Sequence, residues 1–465
     1  MATRRDQLHS YQFLTQRVIS AFVMRETDPQ QSPLRRGVGA VFGGVMVAIL
    51  VAAGFGIYGI LTKVGSDGWK TEGAVVIEKE TGASFVYVQG VLHPTLNFAS
   101  AKLAAGRPSS QVFRVSGNSL SEVPRGNTVG IPGAPDSLPA VKKRIGLPWT
   151  VCTTPRTDDA GRAITVVRLA VGRGVTGGRQ LAETEGVLVQ DSVERTTYLI
   201  YRGRRHLVQD PANLVRAMFG EVRIAPVGSA WINALPTGNE IQTIVVPDRG
   251  KSSSEMPGRE IGEVLTAQTA AGEAHYLVFD DGIAGITPLQ LAILGAQAGL
   301  KREDVPVSEI NSAPTSSRLR PPANDAGAAP QSAPTLVPAS SEQICAVTSD
   351  GRTPPSFLVG GTVEGLDTAA PTQASATNGD PLANAVLVPS GRVATVRVLA
   401  SPTAETGGYF VVTDTGIKYA VPSAEVLELL GYPAAEAIEV PSALLQRLPT
   451  GPTLDPLEAV KSAAS

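Results

Sequence analysis

The sequence predicts an α+β protein with a single N-terminal transmembrane helix. An elongated extracytoplasmic region follows, with four β-hairpin/helix repeats around a discontinuous β-rich central domain. Three observations predict this fold class: one long uncharged apolar run, a pattern of hairpin and helix that recurs four times, and strand-like runs in the intervals between the repeats. The chain has 465 residues, so the part after the apolar run is long enough for several compact units.

The apolar run at residues 38–61 contains no charged side chain and lies between Arg36 and Lys63. As an α-helix it would be ~36 Å long at ~1.5 Å per residue, which exceeds a bilayer core of ~30 Å. A buried helix of a soluble protein is rarely apolar on every face. A cleaved signal peptide has a shorter apolar region of ~7–15 residues and a shorter charged leader. We therefore predict a retained membrane anchor over residues 37–62.

Basic residues are concentrated on the N-terminal side of this anchor. Residues 1–36 contain six arginines and three acidic residues, whereas the three lysines within residues 63–80 are diluted by four acidic residues. Because lysine and arginine are retained on the cytoplasmic side, the N-terminus is predicted to be cytoplasmic. Residues 63–465 are then extracytoplasmic, on a single-pass protein of the cell membrane.

The remaining composition narrows the class of protein. The net charge of −2 gives no global field that would favour nucleic acid, so no nucleic-acid partner is expected. The chain has two cysteines, Cys152 and Cys345, and both lie in the predicted exported part. In that compartment they most simply form one disulfide, and two buried free thiols are the alternative.

Residues 4–25 have the pattern of an amphipathic helix that precedes the anchor. Leu8, Tyr11, Leu14, Val18 and Phe22 recur at steps of three and four, which is the helical period. Such a stripe outside a self-contained core can be buried by a partner or by the membrane surface, and a partner helix is the preferred interpretation. These five residues are the predicted partner-binding face of a cytoplasmic arm.

Beyond the anchor, an internal repeat is the most informative pattern. Each copy begins with an aromatic strand, a glycine turn and a second strand that ends at a proline, which indicates a β-hairpin. A helical segment follows, and then a short segment that leads to a second apolar turn with its own proline. The two prolines are separated by 30, 25, 26 and 27 residues in the four copies. The hairpins are predicted at residues 85–94, 198–211, 276–288 and 409–422.

The intervals between the repeats are assigned to the central domain, and the two cysteines fall in them. Residues 316–340 are rich in Ser, Pro and Ala with few apolar anchors, so they are predicted to be a disordered linker. The predicted boundaries are: cytoplasmic arm 1–36, transmembrane helix 37–62, repeat 1 at 63–126, central domain 127–197, repeat 2 at 198–238, central domain 239–275, repeat 3 at 276–315, linker 316–340, central domain 341–408, repeat 4 at 409–454 and tail 455–465.

Motifs for catalysis and cofactor binding are weak. Gly250-Lys251-Ser252 matches the end of a P-loop, but Val245 stands where the first glycine is required. Residues 172–177 fit GxGxxG, yet a strand-like run follows within a few residues in place of the helix that a dinucleotide site needs. The four histidines are scattered without ligand spacing, and His93 and His206 fall in corresponding hairpins, which favours a structural role. No catalytic residue, cofactor or metal site is predicted.

Several segments together resemble a known family. They are Tyr11-Gln12-Phe13-Leu14 in the arm, the single membrane helix, the block at residues 92–103, and Gly146-Leu147-Pro148-Trp149 followed by Cys152 and the distant Cys345. The chain resembles EccB, the membrane core component of the type VII (ESX) secretion system of actinobacteria and their relatives. The resemblance implies assembly with EccC, EccD, EccE and the mycosin protease. It also implies an extracytoplasmic domain that forms a homodimer or higher oligomer and contributes the periplasmic part of the pore.

The primary functional hypothesis is a structural, protein-binding component of a secretion complex. The alternative is an ATP-hydrolysing subunit of the same system, because some members of the family have been described as ATPases. A cell-wall-binding envelope protein is the third hypothesis, since extracytoplasmic repeats can bind glycan. The first is favoured because the sequence contains an anchor, an arm and repeats rather than a polar catalytic cluster.

The predicted topology can be tested with protease added to spheroplasts. Residues 63–465 should be digested, and a small membrane-anchored N-terminal fragment should remain, because the anchor and the arm are shielded. Immunoblotting against tags at the two ends measures both outcomes. Protection of the large C-terminal region would contradict the predicted orientation.

Overall fold

The computed structural model describes residues 3–25, 35–61, 67–108, 110–297, 299–319 and 327–463. Its α-helices are α1 (Arg4–Met24), α2 (Arg35–Leu61), α3 (Phe98–Ala104), α4 (Gly117–Leu120), α5 (Pro211–Phe219), α6 (Ser229–Asn233), α7 (Pro288–Gly295), α8 (Val307–Ser312), α9 (Ala424–Leu429), α10 (Ser442–Leu445) and α11 (Pro456–Ala459). Short 3-10 helices occur at Asp67–Trp69, Val141–Lys143, Leu366–Thr368 and Ala434–Glu436.

The strands follow the anchor. They are β1 (Ala74–Glu78), β2 (Ser84–Val88), β3 (Val91–Pro94), β4 (Val112–Val115), β5 (Trp149–Thr157), β6 (Ala163–Ala170), β7 (Arg179–Gln180), β8 (Glu185–Asp191), β9 (Thr197–Tyr201), β10 (Arg204–Leu207), β11 (Ala225–Val227), β12 (Val264–Thr269), β13 (Gly272–Phe279), β14 (Gly282–Ile286), β15 (Arg302–Asp304), β16 (Thr335–Leu336), β17 (Ile344–Thr348), β18 (Ser356–Val359), β19 (Ala370–Pro371), β20 (Ala385–Leu387), β21 (Val393–Leu399), β22 (Tyr409–Thr413), β23 (Lys418–Val421) and β24 (Ile438–Pro441).

The mixed helix and sheet class with one apolar helix near the N-terminus is confirmed. Helix α2 contains a stretch of 23 residues, Gly37–Gly59, that is long and apolar enough to cross a membrane. No part of its most apolar window is buried by the described protein, so its side chains are free to contact lipid. This helix and α1 belong to one packing unit. The sheets belong to a second unit, apart from short pieces at Glu78–Glu80 and Arg114–Glu122 that group with the first.

The same four-stranded arrangement occurs four times. An initial strand pairs antiparallel with the first hairpin strand, and a later short strand pairs with the other edge of the initial strand; in repeats 2, 3 and 4 this later pairing is parallel. The hydrogen-bonded orders are β3-β2-β1-β4, β10-β9-β8-β11, β14-β13-β12-β15 and β23-β22-β21-β24, with β16 as an additional partner of β8. The helix between hairpin and return strand supplies the crossover that a parallel return requires.

The initial strands extend the repeats beyond the boundaries predicted from the sequence. The sequence pattern predicts that residues 185–191, 264–269 and 393–399 belong to the central domain, whereas they form β8, β12 and β21 of the repeat sheets. The reason is that an isolated two-stranded hairpin is marginally stable, so each hairpin gains a third strand from the chain just before it.

In each repeat, one residue of the second hairpin strand forms two backbone hydrogen bonds with a return segment that lies later in the chain. We call this residue the closing residue. That residue donates its N–H to a proline carbonyl of the return segment and accepts an N–H from the residue two positions after the proline, at 2.8–3.2 Å. The return segments read Pro-x-Gly in three copies and Pro-x-Ser in one. The closing residues are Leu92, Arg205, Ile283 and Lys418, and their segments are 124–126, 236–238, 314–316 and 449–451.

The return segment has a glycine in three repeats because an aromatic or imidazole ring packs directly against it. The residue after the closing residue is His93, His206 or Tyr419 in three repeats, and a Cβ on the facing glycine would clash with that ring. The third repeat has Ala284 and Ser316 instead, so no ring excludes a side chain there. Burial is the main cause that lowers the pKa of His206, and its Nδ1 contacts the Asn239 carbonyl oxygen at 2.8 Å. The sequence Leu-Pro-Thr-Gly occurs at residues 235–238 and 448–451, and in both places it forms the return segment of a repeat.

The central domain is a sheet of seven strands in the order β19-β20-β6-β5-β17-β18-β7. Its middle pair, β5 and β17, is antiparallel and places Cys152 opposite Cys345. The two Sγ atoms are joined in a disulfide across a sequence separation of 193 residues, and both side chains are buried. The disulfide therefore joins two strands of one sheet that lie far apart in the chain.

The repeats pack in pairs, and each pair also contacts the central sheet. Apolar residues of α5 and α7 share a core between repeats 2 and 3, and residues of α3, α9 and α11 share a core between repeats 1 and 4. Helices α6 and α10, from repeats 2 and 4, pack into the large core of the central sheet. Trp231 of α6 donates from Nε1 to the Val151 carbonyl at 3.1 Å and meets the Phe357 ring edge-on.

The linker predicted at residues 316–340 differs from the structure over its second part. Residues 335–336 form β16 and pair in parallel with β8, and Leu289 N–H donates to the Gln331 carbonyl at 2.8 Å. Val337 and Ala339 are buried in the main core. The burial of these two apolar side chains holds the segment in place. The overall composition of residues 316–340 does not reveal it, because only two side chains are involved.

The glycine-ring contact gives the first prediction for the fold. Substituting Gly238→Ala should destabilise the β-rich region by about 1–3 kcal/mol, because the new methyl group collides with the buried His206 ring. Gly174→Ala is a matched control, since its nearest neighbour would be Pro148 Cγ at 3.5 Å. Urea denaturation followed by tryptophan fluorescence measures both. Equal urea midpoints for the two variants would contradict the prediction, because they would show that the His206 ring moves aside without loss of stability.

The disulfide gives the second prediction for the fold. Non-reducing mass spectrometry of the protein from the membrane fraction should find a cross-linked peptide pair containing Cys152 and Cys345. The double variant Cys152→Ser with Cys345→Ser should lose about 3–5 kcal/mol of stability, since the bond closes a long loop in the unfolded chain. Two alkylatable thiols in the native protein would contradict the pairing.

Candidate functional site

Exposed apolar surfaces are the first candidate sites among the described residues. Groups of three or more His, Cys, Asp or Glu side chains that could hold a metal ion are absent from the described part of the chain. The structure does place several apolar side chains of α1 and α2 where no other described segment covers them. These helices are the first candidate site.

Helix α1 is stabilised at its start by its own sequence. Asp6 accepts hydrogen bonds from Thr3 N–H at 3.0 Å and from Thr3 Oγ1 at 2.6 Å, so its carboxylate caps the start of the helix. These hydrogen bonds lower the pKa of Asp6. The helix ends where Arg25 adopts a left-handed conformation with φ 56°. The arm is therefore helical through local interactions, and its side chains remain available for contacts.

All five residues of the predicted partner-binding face are exposed. The exposed fraction is 56% for Leu8, 70% for Tyr11, 62% for Leu14, 51% for Val18 and 85% for Phe22. A run of large apolar side chains on one face of a soluble helix is a recognised mark of an interaction surface. The structure brings these residues onto one helix and shows no intramolecular core for them.

Two further apolar residues of α1 lie off this stripe. Phe13 and Val23 are 57% and 65% exposed, and the Arg17 guanidinium lies 5.5 Å from the centre of the Phe13 ring. A search for one helical stripe misses them because their angular positions differ from those of the other five. The exposed apolar surface of the arm is thus broader than the sequence period suggests.

The nucleotide-like motifs adopt other conformations. Gly250 has φ 85° in a turn, and Lys251 Nζ pairs with Asp248 Oδ1 of the same turn at 2.8 Å, so its ammonium is engaged within the turn. Residues 172–177 join β6 to β7, with Thr176 bridged to Thr362 of a neighbouring segment. A strand follows the glycines in place of the helix whose N-terminus would bind a pyrophosphate. Neither segment has the geometry of a phosphate cradle.

A charge cluster joins the central domain to repeat 4. Arg352 donates from Nε and Nη2 to the two carboxylate oxygens of Glu439 at 2.6 and 2.8 Å, and Arg397 binds the same carboxylate. Arg352 is the larger cause that lowers the pKa of Glu439. The bidentate geometry fixes the orientation of β24 relative to the segment at residue 352. This cluster has a structural role, and it was not identified from the sequence because its partners are distant in the chain.

Comparison with known proteins agrees with these features. The family model described as "Type VII secretion system ESX-1, transport TM domain B" (EccB) matches residues 1–464. The ESX-3 secretion system ATPase EccB3 of Mycolicibacterium smegmatis is 28% identical over 97% of this chain and 89% of its own length. EccB3 of Mycobacterium tuberculosis H37Rv is 27% identical over 98% of this chain and 89% of its own length.

Solved structures give the same result. A chain of the intact ESX-5 inner membrane complex superposes with a TM-score of 0.66 at 26% identity, over 100% of this chain and 96% of that one. A chain of the EccB3 dimer from the ESX-3 core complex superposes with a TM-score of 0.63 at 26% identity, over 83% of this chain and all of that one. The fold, the membrane helix and the family match together show that this chain belongs to the EccB family of type VII secretion membrane components.

Proposed function

We propose that this protein is a structural, membrane-anchored component of a type VII (ESX) secretion complex and contributes to its periplasmic assembly. The observation that carries the proposal is the likeness, over the whole chain, to a subunit solved within the ESX-5 inner membrane complex. A second likeness is to a subunit of a periplasmic assembly from that complex, over 86% of this chain. Its partners are then a second copy of itself together with EccC, EccD, EccE and the mycosin protease.

The two ends of the chain serve different contacts in this proposal. The charge bias around α2 supports a cytoplasmic α1, which binds a partner of the complex through its exposed apolar face. The repeats and the central domain lie outside the cytoplasm and form the larger surface for self-association. Burial of an apolar helical face in a groove of another subunit is a common mode of recognition.

ATP hydrolysis is the second candidate, and the printed names of the relatives favour it, since EccB3 of two species is called an ATPase. Against this candidate, the Lys251 ammonium is paired with Asp248 and the glycines of residues 172–177 lead into a strand.

The purified protein is expected to hydrolyse ATP no faster than a mock preparation. Hydrolysis that follows the protein through purification and is lost on its depletion would support the enzyme.

The arm provides the test of the scaffold. The double variant Leu14→Asp with Val18→Asp should abolish co-purification of the other subunits and secretion, because two carboxylates would have to be desolvated in the partner groove. The matched control is Gln12→Asp with Gln16→Asp, which places the same charges at exposed positions of the same helix. Affinity purification in mild detergent measures assembly.

Both variants should insert into the membrane in equal amounts. Assembly and secretion that remain normal in the first variant would exclude the arm as an assembly element. Loss of assembly in both variants would show that added charge, rather than the apolar face, is responsible.

A further inference from the structure

The central sheet has one face that the chain covers only in part. Val151 and Val167 belong to the large core on one side of the sheet, whereas Cys152 belongs to a smaller cluster on the opposite side, which we call the outer face. Side chains alternate along each strand, and residues directly opposite each other in an antiparallel pair share a face. The outer face therefore contains three cross-strand pairs of β5 and β6, namely Cys152 with Arg168, Thr154 with Val166, and Arg156 with Ile164.

A segment of the chain at residues 363–369 covers the part of the outer face around the disulfide. Val363 and Leu366 of this segment are buried in one apolar cluster with Cys152. The short helix Leu366–Thr368 lies against β6. The second and third cross-strand pairs contribute no side chain to this cluster, so the covering segment protects only one end of the face.

Acidic side chains of the covering segment lie near arginines at its margin. Glu364 Oε2 is 3.3 Å from Arg173 Nη1. Asp367 acts electrostatically on Arg168, although the two groups are too far apart for an ion pair. The covering segment thus combines apolar side chains that pack on the sheet with carboxylates that neutralise arginines beside it.

The rest of the outer face has the same apolar and cationic components without a cover. Ile164 is 39% exposed, and Val166 and Thr154 are half-buried. Arg168 is half-buried on one side of this apolar strip, and Arg156 is exposed on the other. Among the residues that the structure describes, no carboxylate oxygen lies within 4.0 Å of either guanidinium, and neither guanidinium donates a hydrogen bond.

The two arginines of this strip repel each other. Burial is the main cause that lowers the pKa of Arg168, and the charge of Arg156 lowers it further. Asp367 acts in the opposite direction with a smaller effect than Arg156. The open part of the face is therefore net positive even when Asp367 is included. Carboxylates placed beside the two guanidinium groups would offset this repulsion.

We propose that the open part of the outer face binds an acidic, apolar segment of another polypeptide, which covers Ile164 and Val166 and pairs its carboxylates with Arg156 and Arg168. The segment at residues 363–369 is the argument for this occupant, because a polypeptide of that composition already packs on the same sheet face. A twofold contact of this face with itself would bring the arginines of two copies together, which is unfavourable. The inference adds a contact to the proposed scaffold, and its failure would leave the role of α1 untouched.

Photo-crosslinking of the full chain in native membranes tests this surface. The photoreactive p-benzoylphenylalanine replaces Val166, which lies in the strip between the two arginines. Irradiation followed by mass spectrometry should identify an adduct with a segment of another polypeptide that has Asp or Glu among apolar residues. The absence of an adduct would overturn the proposal. An adduct with lipid, with a second copy of this chain or with a segment that lacks carboxylates would also overturn it.

Charge reversal identifies the part played by the arginines. The double variant Arg156→Glu with Arg168→Glu should reduce the adduct about tenfold or more, because carboxylates would then face carboxylates. The matched control is Lys142→Glu with Lys143→Glu, which makes the same change of charge at exposed positions outside the face and should leave the adduct unchanged. Lysine in place of the carboxylates of the identified segment should restore the adduct in the charge-reversed variant. Equal adducts in the two variants would overturn the proposal.

A neutral variant separates binding from folding. Arg156→Gln with Arg168→Gln removes the repulsion between the two arginines, so the protein should unfold at no lower a urea concentration than the wild-type protein. The adduct should still become weaker, because the carboxylates of the partner segment lose their charged hydrogen-bond donors. An undiminished adduct in this variant would show that the arginines do not bind the segment, which would overturn the proposal.

Discussion

The region that follows the anchor depends on the pairing of β5 with β17. These strands are separated by nearly two hundred residues in the chain, yet they form the middle of the seven-stranded sheet. Their side chains alternate between two faces, as in any β-strand. Val151 and Ala346 point into the large core with α6 and α10, whereas Cys152 and Cys345 point to the opposite face and are joined there. The disulfide thus locks the register that presents the apolar face to repeats 2 and 4.

The repeats bury apolar surface against one another and against this sheet, and repeat 3 also has clusters of its own around Phe279 and Val278. A four-stranded sheet with one short helix buries one face, and the remaining apolar surface must be covered by a neighbour. Repeats 2 and 3 cover each other through α5 and α7, and repeats 1 and 4 do so through α3 and α9. The large core then joins each pair to the central sheet. Insertions in the chain between repeats are tolerated because they build this sheet rather than interrupt a solenoid.

The N-terminal helices follow a different physical rule. Most of their large apolar side chains are exposed in the described protein, so the environment of these side chains has to come from elsewhere. For α2 the length and the uniform apolar surface match a bilayer. For α1 the apolar residues share the helix with arginines and polar side chains, which matches a protein groove or an interface more closely than the interior of a membrane. The membership of the chain in a family of secretion membrane components agrees with both.

The sequence by itself determined the features that local periodicity encodes. The anchor, the helical arm with Leu14 and Val18 on one face, and the hairpins that end near Pro94 and Pro422 follow from patterns within about twenty residues. The family resemblance was also visible in local motifs. The domain boundaries stay a prediction at the level of residue numbers.

The tertiary structure decided what depends on distant partners. A strand such as 185–191 or 393–399 has the same local pattern whether it pairs with a hairpin or with the central sheet, and only the long-range packing assigns it to a repeat. Val337 and Ala339 resemble linker residues until the core that buries them is known. Lys418 resembles a solvent-exposed lysine in the sequence, and its burial beside Arg447 follows from the position where the repeat closes. Chain entropy makes such contacts costly to form, so they are specified by the packing of the whole fold and not by any short segment.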